Sequence, residues 1–127
     1  MTTGNEEPRN RGTEEGRPLP DEAARERVRT QLGQTFVVEA GAGTGKTRLL
    51  VDRIENLIAS GRARLRNIVA ITFTEKAAAE LRVAIRQRIG ARLQDSDSVA
   101  RERFRTALAD LEIAPVSTIH AFAADLL

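Results

Sequence analysis

The chain has 127 residues, 41% of them hydrophobic and 30% charged, with a net charge of +2, which is the size and composition of one globular domain. It carries no cysteine and a single histidine, which excludes a disulfide framework and a thiolate or multi-histidine zinc site. No apolar run approaches the roughly 20 residues that cross a bilayer, and a signal peptide's apolar core is lacking, so no membrane partner is expected and the cytoplasm is the expected compartment.

Residues 1–19 are dominated by Gly, Pro, Glu, Arg, Asn and Thr, and Leu19 is their first aliphatic residue after Met1. They read as a disordered tail, leaving 20–127 as the folded portion. Asp21 is placed to cap a helix over 22–31, with Gly33 just past its end. Ala24, Val28 and Leu32 form a thin apolar side, and Arg25, Arg27 and Arg29 take much of the rest. Such a helix packs lightly on the sheet; its place before the first strand also suits a segment that covers a nucleotide base.

A short buried strand is predicted over 35–39, on Phe36-Val37-Val38. It leads into Ala40-Gly41-Ala42-Gly43-Thr44-Gly45-Lys46-Thr47 and then a helix over 46–60, carrying Leu49, Leu50, Val51, Ile54, Leu57 and Ile58 at helical spacing. Strand, glycine loop, helix is the setting in which a phosphate-binding loop works. The glycines let successive N–H groups converge on one anion, and the helix start adds its own free N–H groups and positive dipole end. Lys46 can reach the β- and γ-phosphates, and the Thr47 hydroxyl can hold Mg²⁺, so these two are the candidate catalytic residues. Ala40 takes the place of the usual first glycine. The competing reading is an ordinary Gly-rich turn between strand and helix.

Arg62, Arg64 and Arg66 form a basic connection to a second strand over 67–73. Thr74 caps a helix over 75–93 with Leu81, Ile85 and Ile89 on one face. After the loop 95–98 comes a helix over 99–111, burying Phe104, Leu108 and Leu111. A third strand over 115–119 leads into a helix over 120–127. Strands alternating with helices imply an α/β fold, a parallel P-loop sheet with flanking helices and right-handed crossovers, with phosphates at the carboxyl ends of the strands.

The second strand ends in Thr72-Phe73-Thr74, a ring and two hydroxyls at the lip of the sheet beside a helix start. That grouping suits a base stacked on Phe73 and a nucleic-acid phosphate on the backbone amides. The alternative makes Phe73 a core residue and Thr74 only a cap. The third strand repeats the pattern with Ser117-Thr118-Ile119-His120-Ala121-Phe122, where the lone His120 also fits a structural role.

Taken in order, the phosphate loop, Thr-Phe-Thr-x-x-Ala-Ala-x-Glu-Leu and Ser-Thr-Ile-His-x-Phe resemble the first motifs of superfamily 1 DNA helicases. The resemblance is to the UvrD/Rep group and, within it, the RecB/AddA (exonuclease V β-subunit) branch, over all but the tail. It implies a RecA-like domain of a 3′-to-5′ helicase or helicase-nuclease of DNA repair and recombination, with ATP and Mg²⁺ as cofactors. ATP would be held by residues of the loop 40–47, Gly43, Gly45, Lys46 and Thr47 foremost. Single-stranded DNA would lie along Thr72, Phe73 and Thr74, and along Thr118, His120 and Phe122.

The pattern departs from the family in three places. Arg25 stands where many members carry a Gln that reads adenine. Ala84 stands where an Arg often precedes the Ile, with Arg82 and Arg86 nearby. No strand ends in the Asp-Glu pair that holds Mg²⁺ and positions water, so the chain reads as the N-terminal piece of a larger enzyme, with further helicase domains and a nuclease subunit or domain as partners. The competing function is a P-loop module that is no motor, or a small kinase-like protein, for which the paired threonine and aromatic strand ends have no use.

Overall fold

The computed structural model describes residues 21–39 and 45–127. The predicted tail, 1–19, and the loop residues Ala40, Gly41, Ala42, Gly43 and Thr44 lie outside them. In chain order the elements are α1 (Glu22–Thr30), α2 (Lys46–Ala59), a 3₁₀ turn (Leu65–Asn67), β1 (Ala70–Thr72), α3 (Glu75–Asp95), α4 (Ser98–Asp110), β2 (Val116–Thr118) and α5 (Ile119–Leu126).

Helical spacing determines which faces meet. Val51, Ile54 and Ile58 on α2 and Leu81, Ile85 and Ile89 on α3 recur every three or four residues, so each set forms one stripe. Those stripes close over Phe104, Ala107 and Leu111, together with Leu65, Ala70, Ala114 and Val116. Phe104 is fully enclosed at its centre. On α4 the buried companion of Phe104 is Ala107, while the expected Leu108 is only partly covered. Small Ala107 lets α3 and α4 approach closely around the ring.

Capping sets the helix ends. Thr74 Oγ1 accepts from the Ala77 N–H at 3.0 Å, and Asp97 Oδ1 accepts from the Ala100 N–H at 2.9 Å. Asp21 precedes α1 as expected, but its carboxylate takes Nε of Arg25 at 2.7 Å rather than a backbone N–H. α2 ends on Gly61 at φ +73, where Arg62 N–H bonds the Leu57 carbonyl and Gly61 N–H bonds that of Ile58. That doubly bonded left-handed stop favours glycine.

β1 and β2 pair in parallel, Ala70 with Val116, Ile71 with Ser117 and Thr72 with Thr118. Arg82 secures the entry to β2, donating from Nη1 to the Leu111 carbonyl at 3.0 Å and from Nη2 to those of Ala114 and Val116 at 3.1 and 3.0 Å. It thereby satisfies carbonyls left open where α4 ends. Asp110, itself buried, is held by Arg64 through Nε at 3.2 Å and Nη2 at 2.9 Å. The guanidinium hydrogen bonds hold its carboxyl below the usual range.

Two expectations about strands change. The second strand, expected over 67–73, forms only as Ala70–Thr72; Val69 and Ile71 are about half exposed while Ala70 is buried, so the helices cover one face of this sheet. The buried first strand over 35–39 is not formed: these residues have no regular secondary structure, and Val37 is 88% exposed. A parallel strand exists only through neighbours that accept its N–H and C=O groups, and among the described residues β1 pairs with β2 alone. Phe36 instead has two guanidinium groups over its ring, those of Arg27 and Arg53, at 5.8 and 5.4 Å from its centroid.

No helix among the described residues is long and apolar enough to cross a membrane.

Candidate functional site

Gly45 opens α2 in the left-handed region, at φ +84, a conformation that glycine adopts without cost. Its carbonyl accepts the first helical bond, from Leu49 N–H at 3.0 Å. Lys46 and Thr47 then fall in the first turn, both exposed. There the N–H groups have no intrahelical acceptor, and the dipole favours an anion. The first turn contains no acidic side chain that would oppose one. Of the eight loop residues named from sequence, Gly45, Lys46 and Thr47 are therefore placed at a helix N-terminus; Ala40, Gly41, Ala42, Gly43 and Thr44 lie outside the described residues.

Two cavities adjoin Lys46. One, of about 580 Å³, runs between the end of α1, Phe36 and α2; the other, of about 320 Å³, lies between α1 and the 36–39 segment. α1 is fixed to α2 chiefly through polar contacts. Arg53 donates to the carbonyls of Val28, Gln31, Leu32 and Gln34, Asn56 donates to that of Arg29, and Arg29 pairs with Asp52 at 3.1 Å. α1 itself buries no residue, in keeping with its thin apolar side.

α2 and α3 run side by side in the same direction. Thr47 and Val51 share a cavity wall with Ala84, Gln87 and Arg88, and further on Glu55 meets Arg88 at 2.6 Å and Arg92 at 2.8 Å. Arg88 also pairs with Asp52. Hydrogen bonding to Glu55 in the first place keeps the Arg88 guanidinium charged beyond its ordinary range. Both helices thus begin toward one end of the molecule. From the level of Thr47, α3 continues back to Glu75, roughly 14 Å further at 1.5 Å per residue.

Where α3 begins stands the Thr72-Phe73-Thr74 lip. Phe73 is 93% exposed, so the ring takes no part in the core that the described residues form. Thr72 Oγ1 donates to the Thr74 carbonyl at 3.0 Å. Thr74 Oγ1 accepts from Ala77 N–H as a cap, which leaves its own proton free to donate outward. Across the sheet Thr118 caps α5, accepting from Ala121 N–H at 3.2 Å, but is itself buried. His120 is exposed in the first turn of α5, and Phe122 is half-buried one residue past Ala121. The lip therefore gathers Thr72, Phe73, Thr74 and His120 near two helix N-termini, while Thr118 faces inward.

The arginines have different partners. Arg82 and Arg64 donate to Leu111, Ala114, Val116 and Asp110, Arg86 meets the exposed Glu112 at 3.7 Å, and Arg62 is exposed. Sequence reasoning missed the place of Arg25. Its Nη1 lies 3.5 Å from where a Cβ on Gly45 would stand; counting residues back from the loop singled the position out but could not put its guanidinium there. Among the described residues no group of three His, Cys, Asp or Glu side chains converges as a metal site. A Mg²⁺ held here would use the Thr47 hydroxyl with phosphate and water oxygens, a donor set that suits this cation.

Comparison with known proteins matches residues 21–127 to the UvrD/REP helicase N-terminal domain. Among curated proteins, an ATP-dependent helicase/nuclease subunit of Ligilactobacillus salivarius is 37% identical over 100 residues, which is 78% of this chain and 8% of that protein. Its counterpart of the same name from Streptococcus pneumoniae is 36% identical over 91 residues, 71% of this chain and 7% of its own length. The ATP-dependent DNA helicase UvrD2 of Mycobacterium bovis is 46% identical over 66 residues, 52% of this chain and 9% of its own. The chain thus spans less than a tenth of the length of these relatives.

Proposed function

As this chain belongs to the UvrD/REP helicase family through its N-terminal domain, we propose that it is the ATP-binding and DNA-contacting portion of a 3′-to-5′ DNA helicase or helicase-nuclease acting in repair and recombination. The triphosphate sits on the loop 40–47 and the first turn of α2, with Lys46 on the β- and γ-phosphates and Thr47 on Mg²⁺. A Mg²⁺ held by Thr47 would supply positive charge beside the phosphate oxygens. Single-stranded DNA passes over the lip, stacking a base on Phe73 or His120, while Thr72 and Thr74 address its backbone. Thr118 and Phe122 belong to the same path by resemblance; the buried Thr118 acts there by holding the start of α5.

One observation carries the reading: an exposed phenyl ring at the strand lip, toward the end of the molecule where α2 also presents Lys46 and Thr47. A motor needs nucleotide and strand on linked elements, and the ionic contacts between α2 and α3 link these two. Water activation and an arginine finger come from further helicase domains, and a nuclease subunit or domain is the natural companion in this family branch. The exposed Val37 and Val38 agree with a strand that pairs outside the described residues. A kinase-like module or a P-loop protein that is no motor has no use for the exposed ring.

The test is isothermal titration of ATP in the intact protein. Lys46→Ala removes most ATP affinity, and Thr47→Ala weakens Mg²⁺-dependent binding more than metal-free binding. If Lys46→Ala binds ATP as the parent does, the phosphate-loop assignment is wrong.

A further inference from the structure

We propose that the hollow at the far end of α2 is a docking pocket for an acidic polypeptide segment, taking a Glu or Asp side chain with an aliphatic neighbour. The inference stands apart from the nucleotide reading. The hollow lies at the end of α2 opposite Lys46, roughly 20 Å away along 14 residues at 1.5 Å each. It adjoins the connection that enters β1, whereas the lip stands where β1 ends.

The cavity has a volume of about 380 Å³, at the small end of the range for ligand pockets. Its apolar side is made by the buried Ile58, Leu65 and Ala107, and Arg64, Arg103 and Thr106 line the rest with polar groups. Each guanidinium is held from one side. Arg64 gives Nε and Nη2 to Asp110, and Arg103 gives Nη1 to the Ala59 carbonyl at 2.7 Å. Arg103 also packs on Gly61, where a Cβ would stand 2.8 Å from its Cζ and 2.9 Å from its Nη2. The positive φ of Gly61 favours glycine, and this contact leaves room for nothing larger. Arg64 Nη1 and Arg103 Nε and Nη2 have no acceptor among the described residues. The carboxylates nearby are already engaged: Asp110 pairs with Arg64, and Glu102 with Arg105 at 2.5 Å. Arg62 and Arg66, both exposed, add to the excess of positive charge along the connection.

The chemistry then selects. A guanidinium only donates, through a planar fork that matches the two oxygens of a carboxylate. Holding the fork in place beforehand lowers the entropy lost when the partner binds. The apolar side decides the class of partner. Beside two cations it accepts the methylenes of Glu or an adjacent Leu or Val, the arrangement of a protein interface with an apolar centre and a charged rim. Arginines in such pockets are also among the residues on which protein interfaces concentrate their affinity. A phosphodiester backbone would leave the apolar side unused and would meet the carboxylate of Glu102, which lines the same hollow.

The experiment is fluorescence anisotropy on the intact protein with a labelled peptide carrying Glu-Leu-Glu between Gly-Ser flanks. A peptide with Gln-Leu-Gln at its centre is the control, and an unlabelled duplex oligonucleotide is the competitor. The Glu peptide binds the parent with a micromolar dissociation constant, and the Gln peptide does not bind. Arg103→Gln lowers the affinity roughly tenfold, the worth of one charge-assisted hydrogen bond. Thr106→Phe fills the hollow without removing a charge and lowers it at least as much. A parent that fails to bind the Glu peptide, or binds the Gln peptide equally well, overturns the proposal whatever a variant does to folding. Affinity lost in a folded Arg103→Gln protein but kept in a folded Thr106→Phe protein also overturns it, since surface charge alone then explains binding. So does an oligonucleotide that displaces the peptide and itself depends on Arg103, which assigns the surface to nucleic acid.

Discussion

The two sides of α2 are built by different means. Toward α3 and α4 it presents Val51, Ile54 and Ile58 to a core closed around Phe104. Toward α1 and the 36–39 segment it offers Arg53, Asn56 and Asp52, and the apolar residues beyond, Val37 and Val38, remain exposed. Apolar burial favours one arrangement through many small contacts. A few hydrogen bonds to carbonyls hold a segment in place while leaving it cheap to move, because each contributes only about 1 kcal/mol net. The first side is a finished core; the second is an attachment beside the nucleotide loop.

The largest effect breaks the finished side. Phe104→Ala removes the ring at its centre and should cost about 3–5 kcal/mol, read as a fall in the denaturant midpoint. A loss below about 1 kcal/mol would mean the core is looser than its burial implies. Next, Arg53→Ala removes the donors that gather 28–34 onto α2. It should cost about 1–3 kcal/mol and appear as faster amide exchange in α1, with α3 and α4 unchanged. Faster exchange throughout would show that the two sides do not separate.

A smaller effect concerns acid. Since Arg64 holds the Asp110 carboxyl below its usual range, the pair stabilises the fold above the ordinary carboxylate pKa of about 3.9. That contribution is lost as pH falls through the lower value in the folded state. Arg64→Ala leaves the buried carboxylate alone, so its acid unfolding midpoint, followed by circular dichroism, should move to higher pH. An unchanged midpoint would show that Asp110 finds other partners.

Much of the finished side was legible in the sequence because its signals are local. The stripe Leu81, Ile85, Ile89 and the capping Thr74 each depend on residues within a turn or two, and they stand where expected. What failed was long-range. Phe36-Val37-Val38 has the composition of a strand, but pairing depends on neighbours that no local pattern can supply. The clamp made by Arg82 depends on the chain returning from α4, and in the sequence alone Arg82 stood out only as a neighbour of Ala84. At the lip, sequence left Phe73 between core and groove; among the described residues the ring packs into no core. Arg25 was visible as a departure from a pattern, and its nearness to Gly45 emerged only once α1 was docked on α2.

Whether the lip is a binding surface beside a nucleotide site is tested most directly by one variant. Phe73→Ala, made in the intact protein, should leave the melting temperature within about a degree, since an exposed ring adds little to stability. Its affinity for single-stranded DNA should fall by about 1–3 kcal/mol, the usual worth of a stacked base. Both are measured on the same preparation, by thermal unfolding and by fluorescence anisotropy. Unchanged DNA affinity in a folded Phe73→Ala protein would contradict a role for the lip in binding the strand.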